Sequence, residues 1–199
     1  MPGQSVLAHH LIWTLYGHWL PNDPRGSGSS TFIDEKLAPL GDIHHGRKPD
    51  PEQPSRSELR TFQRRAEPLL THRRFWIDTP YRDTMANSLT EAILKHSYTA
   101  WACAILSNHM HMVIRRHRDD AMTMWLNIAD RLRMEFQQLP EIGAGHPVWA
   151  DRPYKVFLFS PEDIRVTIRY VEQNPEKERL ARQRYGFVTE YNGWPFHKK

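Results

Sequence analysis

The feature that most constrains the fold is a predicted β-hairpin at residues 98–116. An apolar run at 98–106 is followed by a tight Ser-Asn turn and by a second strand-like run at 109–116. Side chains alternate between the two faces of a strand, so His109 and His111 project to the same side. The alternating methionines project to the other side. The pattern predicts an antiparallel sheet with a polar pair on one face.

The order of the other predicted elements completes a domain around this hairpin. Strands are predicted at 8–16, 98–106, 109–116 and within 148–159. Helices are predicted at 57–70, 82–97, 121–138, 161–174 and 176–184. This order favours an α+β fold with a ferredoxin-like antiparallel sheet (β-α-β-β-α-β) and a further C-terminal helix. We expect helices to cover either the methionine face or the histidine face.

A long insertion follows the first predicted strand. Between residues 26 and 54, Gly, Ser, Pro and charged residues replace any apolar periodicity. We expect a single domain over 1–199, with a loop insertion at about 26–70. A short helical and aromatic tail should follow at about 176–199.

Composition points to a basic, reduced protein. The formal net charge is +4 and the pI is near 9.3, with arginine dominating the basic residues. Arginine suits phosphate recognition, although many basic proteins bind no nucleic acid. The single cysteine, Cys103, lies in an apolar segment, and the N-terminus lacks a signal-peptide pattern. No apolar run is long enough to span a membrane. We therefore expect a cytoplasmic protein with a buried thiol.

The histidine pair has two interpretations. It is either a pair of polar residues on the solvent-exposed face of a hairpin or half of a metal site. A zinc site is disfavoured because the chain has no Cys cluster and no His-Glu-x-x-His motif. Two imidazoles and one oxygen ligand would instead leave open positions on Mg²⁺ or Mn²⁺, which can polarise a phosphodiester.

The helix predicted at 161–174 can supply the remaining groups. It begins with a Ser-Pro-Glu-Asp capping pattern and should kink or stop at Asn174-Pro175. Tyr170 and Asn174 are four residues apart, which places them on one helix face. A tyrosine oxygen can attack phosphorus, and an amide oxygen can bind the cation. Alternatively, Tyr170 is an ordinary amphipathic-helix residue and Asn174 ends the helix.

These residues resemble a known family. His-hydrophobic-His after Ser-Asn, followed by a helix with Tyr-Val-x-x-Asn-Pro, is similar to the single-tyrosine HUH transposases. Within this family the REP-associated tyrosine transposases are the most similar. The resemblance covers residues 8–26 and 82–181. Insertion-sequence enzymes of the family carry Gln four residues after the tyrosine, whereas Asn174 follows the REP-associated pattern.

The resemblance implies a mechanism and a set of roles. His109, His111 and Asn174 would bind one divalent cation, Mg²⁺ or Mn²⁺, at a phosphate of single-stranded, hairpin-forming DNA. Tyr170 would attack that phosphate, giving a 5′-phosphotyrosine and a free 3′-hydroxyl, and a second DNA end would reverse the step. Family members often exchange the tyrosine helix between subunits, so a homodimer and a monomer both remain open.

Several basic residues are candidate DNA contacts, and the alternative for each is a solvated surface residue. They are Arg115, Arg116, Arg131, Arg152, Lys155 and Arg169. The 26–54 segment is expected to be a flexible DNA-contacting or spacer loop. Two other functions stay open: a catalytically silent DNA- or RNA-binding protein, and a nicking enzyme of the replication-initiator or relaxase type.

Overall fold

Four β-strands and four α-helices are found in residues 5–31, 34–150 and 153–196, which the computed structural model describes. The strands are β1 (Ala8–Thr14), β2 (Ala100–Ile105), β3 (His109–Arg115) and β4 (Tyr154–Leu158). The α-helices are α1 (Arg56–Ala66), α2 (Thr79–His96), α3 (Ala121–Phe136) and α4 (Pro161–Lys177). Among these described residues, no helix combines the length and apolar character that crossing a membrane requires.

The strands form one sheet in the order β2-β3-β1-β4, and every neighbouring pair is antiparallel. In chain order, α2 connects β1 to β2, and α3 connects β3 to β4. This is the ferredoxin-like arrangement, so the predicted fold class is confirmed. The predicted C-terminal helix is α4, which follows the last strand.

Helices cover both faces of the sheet. Ile12 pairs with His111, so these two side chains share one face, and Ile164 and Val171 of α4 pack in the apolar cluster on that side. On the other face the indole of Trp13 stacks on Trp125 of α3 at 6.1 Å. Each of these indoles also donates a hydrogen bond to a backbone carbonyl. The two alternatives for helix coverage are therefore both realised.

The helix α4 begins as the sequence predicts but ends later. Ser160 and Asp163 form a reciprocal capping box with Pro161 in the first turn. The prediction of a stop at Asn174-Pro175 is wrong, because the helix continues through Pro175 to Lys177. A proline in the last turn removes only one hydrogen bond, and only two residues follow it in the helix.

The separate helix predicted at 176–184 is also wrong. Its first two residues belong to α4, and residues 178–196 contain no helix. The Gln183 side chain instead bonds to the backbone N–H and C=O of Ile105, and the Thr189 N–H donates to the Ala100 carbonyl. These bonds satisfy backbone groups on the edge strand β2, which would otherwise be open to pairing.

The insertion after β1 contains folded structure. Leu15–Phe75 forms most of a second compact unit, distinct from the unit that contains the sheet. Its small core consists of Leu20, Leu37, Phe62 and Ala66. A Ser55–Glu58 capping box starts α1, and short 3₁₀-helices lie at Glu35–Leu40, Asp50–Glu52 and Glu67–Leu69.

Candidate functional site

The strand β3 holds His109 and His111 on the same face, as alternation predicts, and their ring centroids are 4.7 Å apart. Nδ1 of His109 lies 2.6 Å from the side-chain oxygen of Asn108. An amide oxygen can only accept a hydrogen bond, so Nδ1 of His109 carries the proton. The lone pair of this imidazole is then on Nε2, which is a form that binds metals.

A third histidine joins the pair from β1. Nε2 of His10 lies 2.9 Å from Nδ1 of His111, and the two rings are stacked with centroids 5.1 Å apart. Both side chains are buried. Nε2 of His111 has no hydrogen-bond partner among the described residues, although it is buried. A buried nitrogen without a partner can receive a ligand such as a metal ion.

Both buried imidazoles are neutral near pH 7. Burial lowers the pKa of His111 to about 2, and the nearby charges of His109, His10 and Lys177 act in the same direction. Burial also lowers the pKa of His10 to about 4. Neutral imidazole is the form that donates a lone pair to a metal ion.

Tyr170 of α4 lies against these histidines. Its ring centroid is 5.7 Å from that of His111 and 6.0 Å from that of His10, with edge-on geometry in both cases. The side chain is 44% exposed, so the phenol remains accessible while one side of its ring contacts the histidines. The structure therefore brings the candidate nucleophile to the candidate ligands within one chain.

Asn174 lies one helical turn after Tyr170 and is buried. Its amide N–H donates to the Tyr170 carbonyl at 3.0 Å, which orients the amide oxygen away from that turn. That oxygen accepts a hydrogen bond from Nζ of Lys177 at 3.1 Å. The Lys177 ammonium also lies 4.3 Å from the centroid of the Tyr170 ring. A lysine charge therefore contacts both the candidate nucleophile and the candidate oxygen ligand.

The donor set fits a divalent cation in its chemistry. His109 has its lone pair on Nε2, His111 has a buried Nε2 without a partner, and Asn174 offers an amide oxygen. The described residues contain no group of three or more His, Cys, Asp or Glu side chains arranged for a metal. A cation would thus depend on the amide oxygen as its third protein ligand, and it would compete with Lys177 for that oxygen.

Tyr154 extends this face of the sheet to its edge. Across the strands, Tyr154 pairs with Ile12, and Ile12 pairs with His111, so all three side chains lie in one row. Tyr154 is 63% exposed. An exposed aromatic ring two strands from His111 is suited to stacking on an unpaired base.

The candidate basic contacts have varied surroundings. The guanidinium groups of Arg115 and Arg116 lie 5.3 and 5.7 Å from the centroid of the Trp194 ring. Arg169 is 3.6 Å from Glu162. Arg152 lies outside the described residues.

The other two candidates lie away from the histidines. Lys155 is on the opposite face of β4 from Tyr154, with its ammonium 3.9 Å from the sulfur of Met122. The guanidinium of Arg131 pairs with Glu91 at 2.6 Å and with Glu135 at 2.9 Å. A phosphate at Arg131 would have to displace these carboxylates.

Sequence reasoning gave no role to His10 or Lys177, which both belong to this site. For His10, strand alternation predicts only which residues of β1 share its face. The residue of β3 that it contacts depends on the pairing register, which is a property of the folded sheet. For Lys177, the signal was present: it follows Tyr170 by seven residues, which places both on one helix face. The wrongly predicted break at Pro175 assigned Lys177 to another helix.

Comparison with known proteins gives matches among solved structures. No family model and no curated protein matches the chain. A structure of a REP-associated tyrosine transposase bound to a REP hairpin is similar, with 13% identity and a TM-score of 0.47, over 92% of this chain and 75% of that one. A candidate transposase from Deinococcus radiodurans is similar over 91% of this chain and 97% of that one, with 12% identity and a TM-score of 0.40. Both TM-scores are below 0.5.

Proposed function

We propose that this chain is a DNA strand transferase that cleaves and rejoins single-stranded, hairpin-forming DNA through a phosphotyrosine intermediate. One observation carries the proposal: an accessible tyrosine, Tyr170, contacts a buried histidine, His111, whose Nε2 has no partner among the described residues. A nucleophile beside a histidine nitrogen that can bind a metal is the arrangement that metal-assisted phosphoryl transfer requires.

The proposed bond changes have the polarity that the resemblance to the single-tyrosine HUH transposases implies. The Tyr170 oxygen attacks the phosphorus and loses its proton to solvent, while the bond from phosphorus to the 3′-oxygen breaks. The leaving oxygen takes a proton from solvent and becomes a free 3′-hydroxyl, and the 5′ side stays linked to the tyrosine. Attack by the 3′-hydroxyl of another DNA end then releases Tyr170 and joins the two ends.

The residues around Tyr170 have separate roles in this proposal. His109, His111 and Asn174 would hold Mg²⁺ or Mn²⁺, and a bound cation would supply positive charge against the phosphate oxygens. Lys177 offers a second positive charge beside the nucleophile. Tyr154 would hold a neighbouring base by stacking. Because Tyr170 contacts the histidines of its own chain, the proposed chemistry requires no exchange of α4 between subunits.

The test is covalent capture of DNA. The full chain is incubated with Mn²⁺ or Mg²⁺ and a panel of hairpin oligonucleotides with single-stranded flanks, and adducts are resolved by denaturing electrophoresis. We expect an adduct with the unmodified chain, none with Tyr170→Phe, and an unchanged adduct with Tyr81→Phe, a half-buried helix tyrosine elsewhere on the sheet unit.

An adduct that persists in Tyr170→Phe would overturn the assignment of the nucleophile. DNA binding without an adduct on any substrate of the panel would favour a silent nucleic-acid-binding protein of the same fold. A hydrolysed nick without religation would favour a nicking enzyme of the replication-initiator type.

A further inference from the structure

The surroundings of His10 and His111 determine which of the two rings donates the hydrogen bond between them. If Nε2 of His111 carried the proton, a buried N–H would have no partner among the described residues. Buried N–H groups without partners are rarer than acceptors with unused lone pairs. Nδ1 of His10 is not one of the buried atoms that lack a partner, so this nitrogen can carry a proton without the same penalty.

We propose that His10 is a positioning residue for His111. Nε2 of His10 accepts a hydrogen bond from the Nδ1–H of His111, which holds the His111 ring in the tautomer whose Nε2 lone pair is available to a cation. This role extends the proposed function. A metal-binding histidine commonly donates its other ring N–H to a protein acceptor, and that acceptor fixes the orientation and basicity of the ligand. Here a second neutral imidazole takes the place of the usual carboxylate or carbonyl.

The neighbouring histidine on β1 provides a matched control. His9 is as buried as His10, with each side chain 6% exposed, and burial lowers the pKa of His9 as well. Its ring points to the other face of the sheet, where it contacts Phe157 edge-on at 5.5 Å. Replacing His9 therefore removes an equally buried imidazole from β1 without touching His111.

The first measurement uses metal-free protein. The ¹⁵N chemical shifts of the histidine ring nitrogens, recorded by NMR, report which nitrogen of His111 carries the proton. We expect Nδ1 in the unmodified chain, in His9→Phe and in His10→Gln, whose amide oxygen can also accept. In His10→Phe we expect the proton on Nε2.

The second measurement is the affinity for Mn²⁺, followed by electron paramagnetic resonance. We expect a loss of about 10- to 100-fold in His10→Phe, recovery of most of it in His10→Gln, and no change in His9→Phe. A proton on Nε2 of His111 in the unmodified chain would overturn the proposal. So would unchanged Mn²⁺ affinity in His10→Phe. If the expected tautomer is found but no Mn²⁺ binds, the metal site fails and the hydrogen-bond direction stands.

A second inference comes from α1 in the inserted unit. Arg56, Arg60 and Arg64 follow one another at four-residue spacing and are exposed on one side of this helix. Like charges at this spacing destabilise a helix. Within the described residues, none of these three arginines forms an ion pair with a carboxylate.

The same side of α1 lines a groove of about 500 Å³. Its polar walls are Ser57, Arg60, Thr61, Gln63, Arg64, Glu67 and Arg74. The Arg74 side chain is 7% exposed, and its guanidinium lies 3.3 Å from the Glu67 carboxylate, the one acid in this lining. The guanidinium groups of Arg60 and Arg64 therefore give the groove a net positive charge.

We infer that this groove binds the phosphate backbone of the DNA substrate. This inference also rests on the proposed function, because charge complementarity with a polyanion is its basis. Arginine at four-residue spacing offers successive forked donors along an extended chain of phosphates. The inserted unit would then contribute affinity, while the sheet unit contributes the chemistry.

The test compares two double variants with the same loss of charge. Arg60→Gln/Arg64→Gln removes the groove arginines, and Lys36→Gln/Arg47→Gln removes exposed charges elsewhere in the inserted unit. Affinity for a fluorescent single-stranded oligonucleotide is measured over a range of salt concentrations. Loss of two phosphate contacts should lower the salt slope of log Kd by about 1.4 for single strands, and the control should keep the original slope.

An unchanged slope in Arg60→Gln/Arg64→Gln would overturn the inference. A thermal shift with inorganic phosphate that is lost in this variant, without any change in DNA affinity, would assign the groove to free phosphate and also overturn it. Formation of the Tyr170 adduct is measured separately, so an active chain with an unchanged slope rejects only the groove.

Discussion

The ring of Tyr170 meets the ring of His111 edge-on, with their planes at 88° and their centroids 5.7 Å apart. One residue belongs to a helix that packs on the sheet, and the other belongs to an internal strand. The contact defines a surface where an accessible hydroxyl-bearing ring adjoins a buried nitrogen that lacks a partner.

His111→Gln should weaken the binding of Mn²⁺ by more than about tenfold, because it removes the proposed buried nitrogen ligand. Adduct formation should be lost in this variant and also after chelation of the metal from the unmodified protein. Isothermal titration with Mn²⁺ measures the first effect. His45→Gln, at an exposed position of the inserted unit, is the control, and equal Mn²⁺ affinity in both variants would refute a cation site at His111.

Lys177→Gln should strengthen metal binding while it slows DNA cleavage. The substitution removes a positive charge that repels a cation and a donor that occupies the Asn174 oxygen. It also removes a charge beside the attacked phosphate, which we expect to slow adduct formation by about tenfold or more. Mn²⁺ titration and single-turnover cleavage are measured on the same samples. Arg179→Gln, an exposed charge just beyond α4, serves as the comparison, and parallel changes in the two variants would contradict the prediction.

Tyr154→Ala should weaken single-stranded DNA binding by about 1–3 kcal/mol, since an exposed aromatic ring is lost from the face that carries His111. Tyr154→Trp should retain the affinity, because a larger ring still stacks. Fluorescence anisotropy with an unstructured oligonucleotide checks both variants. If alanine and tryptophan bind DNA equally well, Tyr154 is not a stacking residue.

Tyr98 should make the fold sensitive to alkaline pH. Its hydroxyl donates to Asp119 and accepts from Asn127, each at 2.7 Å. Burial, with the hydrogen bond to Asp119, raises the pKa of Tyr98 to about 12 from its ordinary value of 10. The folded state therefore keeps a proton that the unfolded state releases. The resulting stabilisation is complete below pH 10 and is lost as pH rises through about 12.

Tyr98→Phe should lower the free energy of unfolding by about 1–2 kcal/mol at pH 8, because Asp119 and Asn127 lose a shared partner. The difference from the unmodified chain should shrink between pH 10 and pH 12. Urea denaturation at several pH values measures this difference. A constant difference across that range would show that Tyr98 does not titrate as expected.

Periodicity predicted the sheet and most helices because they follow from local patterns. Alternation placed His109 and His111 on one face, and the Ser-Pro-x-Asp cap located the start of α4. The end of α4 was mistaken because a proline near a helix terminus costs little, whereas sequence rules treat it as a break. The contact of His10 with His111 depends on the register between β1 and β3, which long-range packing determines.

The packing of α4 decides whether the site exists at all. Ile164 and Val171 join this helix to the sheet, and the partly exposed Tyr170 lies beside them against His111. Detachment of one helix would leave the three histidines in place on β1 and β3 and would carry Tyr170, the proposed nucleophile, away from them. Cleavage would then cease at denaturant concentrations where the sheet is still intact. The ability to cleave DNA would then depend on the local unfolding of one helix. The denaturant midpoint for the loss of cleavage can therefore lie below the midpoint for global unfolding.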